Sequence, residues 1–161
     1  RDTWTFAYGD RSRAAHAVFM AEGSPEPWDD WWEDLILEAL DSEVLMGPGE
    51  YCANEIIESG MVLLAADRNQ KKSTCESWSY EADFEGHSIL VCNSTIFTSE
   101  LFGDRVDDYP FVSVYCHDGE KFRVSLYSTQ MDVVDYAIKR GGGGHPRACG
   151  FICEDIPYKK K

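Results

Sequence analysis

Four consecutive glycines, Gly141 to Gly144, constrain this chain more than any other stretch of its 161 residues. Glycine loses more backbone freedom on folding than any other residue, so an ordered run of four is costly. Flexible linkers are the usual setting for such runs. This one has no serine repeat, and His145-Pro146-Arg147 and an apolar segment from Ala148 to Glu154 follow it at once. A short helix is expected before it, from Asp132 to Lys139. Glycines between a helix and a strand make a tight loop whose backbone amides can approach an anion without a Cβ in the way. His145 and Arg147 add side-chain donors, and arginine can hold phosphate oxygens through two parallel bonds. Ala148 and Gly150 are small, as suits a strand passing beneath a ligand or another backbone. On these residues alone, a phosphate site and a structural turn both remain open.

The rest of the chain falls into two parts. Arg11 to Met20 reads as a short helix with Ala14, Ala15 and Ala17 on its surface, ended by Gly23-Ser24-Pro25-Glu26-Pro27. A second helix is expected from about Trp28, with Trp31, Trp32, Leu35, Ile36, Ala39 and Leu40 at helical spacing and a stop at Gly47-Pro48-Gly49. A third is expected from Glu50 to Lys71, carrying Cys52, Ile56, Met61, Leu64 and Ala65 as a broad stripe. After Lys72 the pattern changes. Thr74 to Phe84 alternates loosely, Glu85-Gly86 reads as a turn, and His87 to Asn93 as a strand buried on both faces. Thr98 or Ser99 can cap a short helix. Phe111 to Cys116 and Lys121 to Tyr127 flank an Asp118-Gly119 hairpin signal. In the second of these strands Phe122, Val124 and Leu126 point one way, and Lys121, Arg123, Ser125 and Tyr127 the other. The expected class is α/β: connector helices over residues 1–73, then a mixed β-sheet domain flanked by helices over 74–161.

Charge and cysteines narrow the function classes. A net charge of −14, from 29 acidic and 15 basic residues, argues against a long nucleic-acid duplex as partner. The balance is uneven: residues 1–60 carry −11, and residues 121–161 carry +4. A small anion is therefore tolerated at one end of the chain, and short nucleotides fit better than extended DNA. Six cysteines, several in apolar runs such as Val91-Cys92 and Phe151-Ile152-Cys153, read as reduced core thiols in a cytoplasmic setting. No apolar run reaches the roughly 20 residues a membrane span needs. Arg1-Asp2-Thr3-Trp4 has no signal-peptide pattern, and a start on Arg1 reads as a fragment. Cys149, Cys153 and His145, with Cys116-His117, could be assembled into a zinc site, but Gly150 and Phe151 between the two thiols suit packing better. The Trp28, Trp31 and Trp32 helix reads as a packing or docking face, including for a homodimer, and Lys159-Lys160-Lys161 as a solvated tail.

The glycine run resembles the Gly-Gly-Gly-His-x-x-Ala-x-Gly signature of the DHH-associated domain, the C-terminal domain of DHH-family phosphoesterases, with Cys149 where the pattern has a second alanine. That family includes RecJ-type exonucleases, nanoRNA phosphatases and cyclic-dinucleotide phosphodiesterases. The flanks resemble it as well: Val91-Cys92-Asn93, then Ser99-Glu100-Leu101, then Ser125-Leu126-Tyr127-Ser128 leading to Asp132-Val133. The resemblance implies a nucleotide-phosphate recognition domain acting on short oligonucleotides or cyclic dinucleotides, partnered by an N-terminal catalytic DHH domain. It implies substrate binding by Gly142, Gly143, Gly144, His145, Arg147, Arg123, Ser125, Tyr127, Ser128 and Asn93. The family has arginine where this chain has Tyr127; tyrosine can stack on a base instead, and Arg123, two pleats away, can supply the charge. Catalysis in the family resembles two-metal phosphoryl transfer. This chain has neither Asp-His-His nor Asp-x-Asp, and its nearest candidates, Asp107-Asp108 and His117-Asp118, fall at strand ends or turns. It is expected to carry no cofactor and to bind without cleaving, with Mn²⁺ held in the catalytic domain. The alternative is a structural or oligomerisation domain whose glycine loop has lost its ligand.

Overall fold

The computed structural model describes residues 9–21, 23 and 50–160. The predicted helix from Trp28, its Gly47–Gly49 stop and the tryptophan face lie outside the described residues. The chain divides between Arg68 and Asn69 into two compact units.

The first unit contains helix α1 (Asp10–Ala21) and the first two-thirds of a long helix α2 (Glu50–Trp78). The stripe expected on α2 is only in part its buried face: Ile56 and Leu64 are half-buried. Met61 is 40% exposed and Ala65 is exposed, whereas Gly60 is buried. A Cβ on Gly60 would sit 2.0 Å from the Ala14 carbonyl oxygen, so the two helices touch through backbone. Periodicity marks apolar side chains; a backbone contact selects the smallest residue instead, whatever its hydrophobicity. Arg68 Nη2 donates to Asp10 Oδ1 across 2.7 Å on the exposed rim.

The second unit is a seven-stranded mixed sheet with helices on both faces. Its strands are β1 (Ser79–Phe84), β2 (His87–Asn93), β3 (Val112–His117), β4 (Phe122–Tyr127), β5 (Gly143–His145), β6 (Ala148–Cys153) and β7 (Lys159–Lys160), in the order β5-β6-β4-β3-β2-β1-β7. Only β2 and β3 are parallel. The turn Glu85-Gly86 has positive φ at both residues, 53° and 82°, the geometry a two-residue hairpin favours. Asp118 accepts hydrogen bonds from the amides of Glu120 and Lys121 in the β3–β4 turn, and these bonds hold its carboxyl below the usual range. A 3-10 helix, Ser99–Asp108, starts where the sequence places it, with Thr98 Oγ1 accepting from the Glu100 amide.

Helix α2 runs two turns beyond its expected end at Lys71, and β1 therefore begins at Ser79, not Thr74. No glycine or proline interrupts residues 72–78. Burial of Cys75 beside Leu90, Cys92, Leu101 and Phe102 overrides the weak helix propensity of Ser73 and Thr74. That cluster covers one face of the sheet. On the other, Phe84, Ile89, Val91, Phe111 and Leu126 pack with Val133 and Ala137 around a short helix α3 (Val134–Ile138). Strands β2 and β3 lie between the two cores, which accounts for their near-continuous apolar runs.

Lys159 and Lys160 are not a free tail. They pair with Asp83 and Ala82 as strand β7. Tyr158, just before them, is buried, and its hydroxyl lies 2.5 Å from Ser113 Oγ. Ser113 gives its single proton to the Ser125 carbonyl, 2.8 Å away, so Tyr158 is the donor.

Two predictions follow from this packing. In the interior of α2, Gly60→Ala gains about 1 kcal/mol of helix propensity. The clash with Ala14 should outweigh that gain, lowering stability by about 1–3 kcal/mol in urea unfolding followed by far-UV circular dichroism; an unchanged or raised midpoint refutes the backbone contact. Burial raises the Tyr158 and Tyr80 hydroxyls above the ordinary tyrosine value. Their contribution is complete below about pH 10, where unfolded tyrosine is still neutral, and is lost as pH rises beyond it. Tyr158→Phe should cost about 1 kcal/mol at neutral pH and reduce the loss of stability between pH 9 and 11; an identical alkaline slope in both proteins would contradict this.

Candidate functional site

The register of the last three strands builds three rows on one face of the sheet. Tyr127, Ala148 and His145 form the first row, across β4, β6 and β5. Ser125, Gly150 and Gly143 form the second. Arg123 and Ile152 form the third. The middle row carries one hydroxymethyl group and two hydrogens, so it is the floor of a trough between taller rows. Arg123, His145, Arg147 and Ile152 are all exposed, and Ser125 is half-buried.

The four glycines differ in why they are glycine. Gly141 ends α3 with φ 74°; its amide bonds the Ile138 carbonyl and the Gly142 amide bonds that of Ala137, a Schellman closure. At Gly142 a Cβ would meet the Gly150 carbonyl oxygen at 2.1 Å. Gly144 has φ 139°, and a Cβ there would meet the Ala148 oxygen at 2.6 Å. Gly143 is different: its φ is ordinary, and a Cβ would find nothing within 4 Å. The fold requires glycine at three positions of the run, and at the fourth leaves open space above the trough floor. The stretch read from sequence as a loop is in fact a short edge strand, because glycines at 142 and 144 let it lie close on β6.

Backbone bonds fix the turn that follows. The Val133 amide donates to the Pro146 carbonyl at 2.8 Å, and the Ser128 amide to that of Arg147 at 3.0 Å. At the other end of the run, Arg140 lies over the Phe84 and Phe151 rings, at 4.8 and 5.3 Å, and pairs with Glu85. The glycine strand is thus held at both ends, and His145 and Arg147 project from its tip.

The residues implied as ligands are not all brought together. Gly143, His145, Arg123, Ser125 and Tyr127 share the trough face, and Arg147 sits at the turn beside it. Gly142 and Gly144 lie in the same stretch, and the side a Cβ would occupy at each is filled by β6. Ser128 is buried: its hydroxyl donates to the Pro110 carbonyl at 2.7 Å and accepts from the Gln130 and Met131 amides, so it secures the turn after β4. Asn93 pairs in register with Tyr115, whose ring lies in the opposite core, and so falls on the other face. Phe97, which the sequence reading did not single out, lies 5.0 Å beneath the Arg123 guanidinium. A contact between residues 26 positions apart leaves no local sequence signal.

Burial raises the Tyr127 hydroxyl, while a Ser125 hydrogen bond and the Arg123 charge pull it the other way, so the three polar residues of β4 sense one another. Cys149 donates to the Val133 carbonyl at 3.2 Å, and burial pushes its thiol up to about 11, which makes it an inert core group. It lies on the opposite face from His145, so the two do not form a zinc site. Among the described residues, no three His, Cys, Asp or Glu side chains are placed to hold a metal ion. His117 Nδ1 accepts from the Gly119 amide within its turn, and Asp107 accepts from Thr129, tying the 3-10 helix to the segment after β4. No described helix is long and apolar enough to cross a membrane.

No family model and no curated protein matches the sequence. Among solved structures, the pGpG-specific phosphodiesterase PggH from Vibrio cholerae shares the fold at a TM-score of 0.57 and 8% identity, over 91% of this chain and 53% of that one. An uncharacterised protein from Helicobacter pylori G27 (TM-score 0.41, 15% identity, 96% and 50% covered) superposes too loosely to bear on the argument. The same holds for the DHH domain of a member of the s1p family of ribosomal proteins (TM-score 0.36, 14% identity, 89% and 46% covered). The chain spans about half the length of these structures. At 8% identity the likeness is one of architecture alone: this chain shares the fold of about half of that phosphodiesterase.

Proposed function

We propose that this chain is the nucleotide-phosphate recognition domain of a metal-dependent phosphoesterase of the DHH family, acting on short oligonucleotides or dinucleotides and partnered by a catalytic domain that supplies Mn²⁺. The observation that carries this reading is Gly143. It is the one glycine of the run for which the fold gives no reason, and it lies on the trough floor beside Ser125 and Gly150. Small groups there let a phosphate reach backbone amides. His145 and Arg147 at the tip can donate to its oxygens, and arginine can do so through two bonds. Arg123 provides the charge that Tyr127 lacks.

The structural requirement for glycine at 141, 142 and 144 favours a second reading, in which the run serves only to close the sheet and the domain is an interaction module. Gly143→Ala separates the two. The added methyl enters open space, so stability should be unchanged or raised by up to about 1 kcal/mol through a stiffer unfolded chain. Affinity for 5′-phosphorylated diadenylate should fall at least tenfold in calorimetric titration. His145→Ala should weaken the same ligand with an unchanged melting transition. Gly144→Ala, by contrast, should destabilise by about 1–3 kcal/mol through its left-handed backbone. Full affinity in Gly143→Ala and His145→Ala would eliminate phosphate recognition at this loop and leave the interaction module.

A further inference from the structure

The row of Tyr127, Ala148 and His145 sets two polar side chains on either side of a single methyl group. Tyr127 on β4 and His145 on β5 are two strand spacings apart, about 9.5 Å between backbones. In the next row Ser125 faces Gly143 across Gly150, at the same spacing. These four positions are the corners of a shallow seat whose floor is only Ala148 and Gly150. The β5 wall carries His145. The β4 wall carries two hydroxyls.

Those hydroxyls belong to the seat. A Cβ on Gly150 would lie 3.4 Å from Ser125 Oγ, so that oxygen stands beside the empty place above Gly150. The Tyr127 ring packs with the buried cluster of Leu90, Cys92 and Val112 and is itself half-buried. Its apolar body therefore serves the core, and its hydroxyl is the part it offers to solvent. That hydroxyl bonds Ser125, two residues back on the same face of β4, and the bond favours the ionised phenol. A bond of that sign is one the phenol oxygen accepts. Ser125 thus gives its proton to Tyr127, and among the described residues no carbonyl or carboxylate takes the tyrosine's own. Arg123, one row further along β4, adds positive charge to the same wall.

A single phosphate, accepting a bond of about 2.8 Å from each wall, fits between side chains rooted about 9.5 Å apart. We infer that Tyr127 donates a hydrogen bond to the same terminal phosphate that His145 engages, from the opposite wall of the seat, with Ser125 positioning the tyrosine. Tyr127 then recognises phosphate through its hydroxyl and is not a platform for a base. The inference rests on the phosphate-recognition reading above and supplies the second wall of that site.

The test is calorimetric titration of the 161-residue chain with 5′-phosphorylated diadenylate, in wild type, Tyr127→Phe, Tyr127→Ala, His145→Ala and the Tyr127→Phe/His145→Ala double variant. Phenylalanine keeps the ring and loses only the hydroxyl, so Tyr127→Phe should lower affinity at least tenfold, the scale of one hydrogen bond to a charged group. The double variant should lose less than the product of the two single losses, because both side chains hold one group. The same dinucleotide without its 5′-phosphate should bind wild type and Tyr127→Phe equally. Unchanged affinity in Tyr127→Phe would overturn the inference, and a loss confined to Tyr127→Ala would make the ring a base platform instead. Strictly multiplicative losses, or a tenfold difference retained on the unphosphorylated dinucleotide, would put Tyr127 on another part of the ligand and overturn it too. In each of those cases a loss in His145→Ala would leave phosphate recognition standing. Wild type that fails to bind, or that is indifferent to His145→Ala, would overturn phosphate recognition itself and this inference with it. A melting curve of each variant separates lost binding from lost folding.

Discussion

Three backbones meet at Gly142, Gly150 and Val124 with no room for a side chain between them. A Cβ on Gly142 would overlap the Gly150 carbonyl, and one on Gly150 would come within 2.7 Å of the Val124 carbonyl. Because those atoms are missing, the chain leaving α3 can turn back and lie against β6 as an edge strand, with β6 lying in turn against β4. Everything distinctive about this end of the sheet depends on that contact. It lowers the floor at Ser125 and Gly150, and it aims the tip at the same face. It also brings Pro146 and Arg147 within hydrogen-bonding distance of Val133 and Ser128. A larger residue at Gly142 would push the chain leading into β5 off β6, and one at Gly150 would push β6 away from β4.

The charge distribution becomes intelligible in the same frame. The chain as a whole is strongly acidic, at −14, which repels a long polyanion at low salt. Screening restricts such fields to about 8–10 Å at ordinary ionic strength. A small anion in the trough would therefore respond mainly to Arg123, His145 and Arg147 and to the amides around Gly143. A net charge computed over the whole chain says little about a site a few ångströms across.

Both edges of the sheet are short. Strand β5 has three residues, two of them glycine, and β7 has two lysines. Short, charged or glycine-rich edges resist pairing with another chain, so the sheet is closed at each side by segments that offer little to a neighbour. The β7 edge is held by burial: Tyr158 inserts its ring beside Phe84 and Tyr115 and bonds Ser113, and the lysines follow it onto β1.

Local chemistry was sufficient for much of this. The alternation of Phe122 to Tyr127, the unbroken apolar run of Ile89 to Cys92, the Asp118-Gly119 and Glu85-Gly86 turns and the Thr98 cap are determined by residues within a few positions of one another. The sequence by itself therefore determined the α/β class, most strand positions and the importance of the glycine run. What it left open involves partners distant along the chain. The extension of α2 to Trp78 depends on the burial of Cys75 against strands that come later, and the burial of Gly60 depends on Ala14. The conversion of a lysine tail into β7 depends on Ser113 accepting Tyr158. Above all, only the tertiary structure distinguished the four glycines, because steric demand at 142 and 144, and its absence at 143, are set by atoms of β6, which no reading of consecutive identical residues can register.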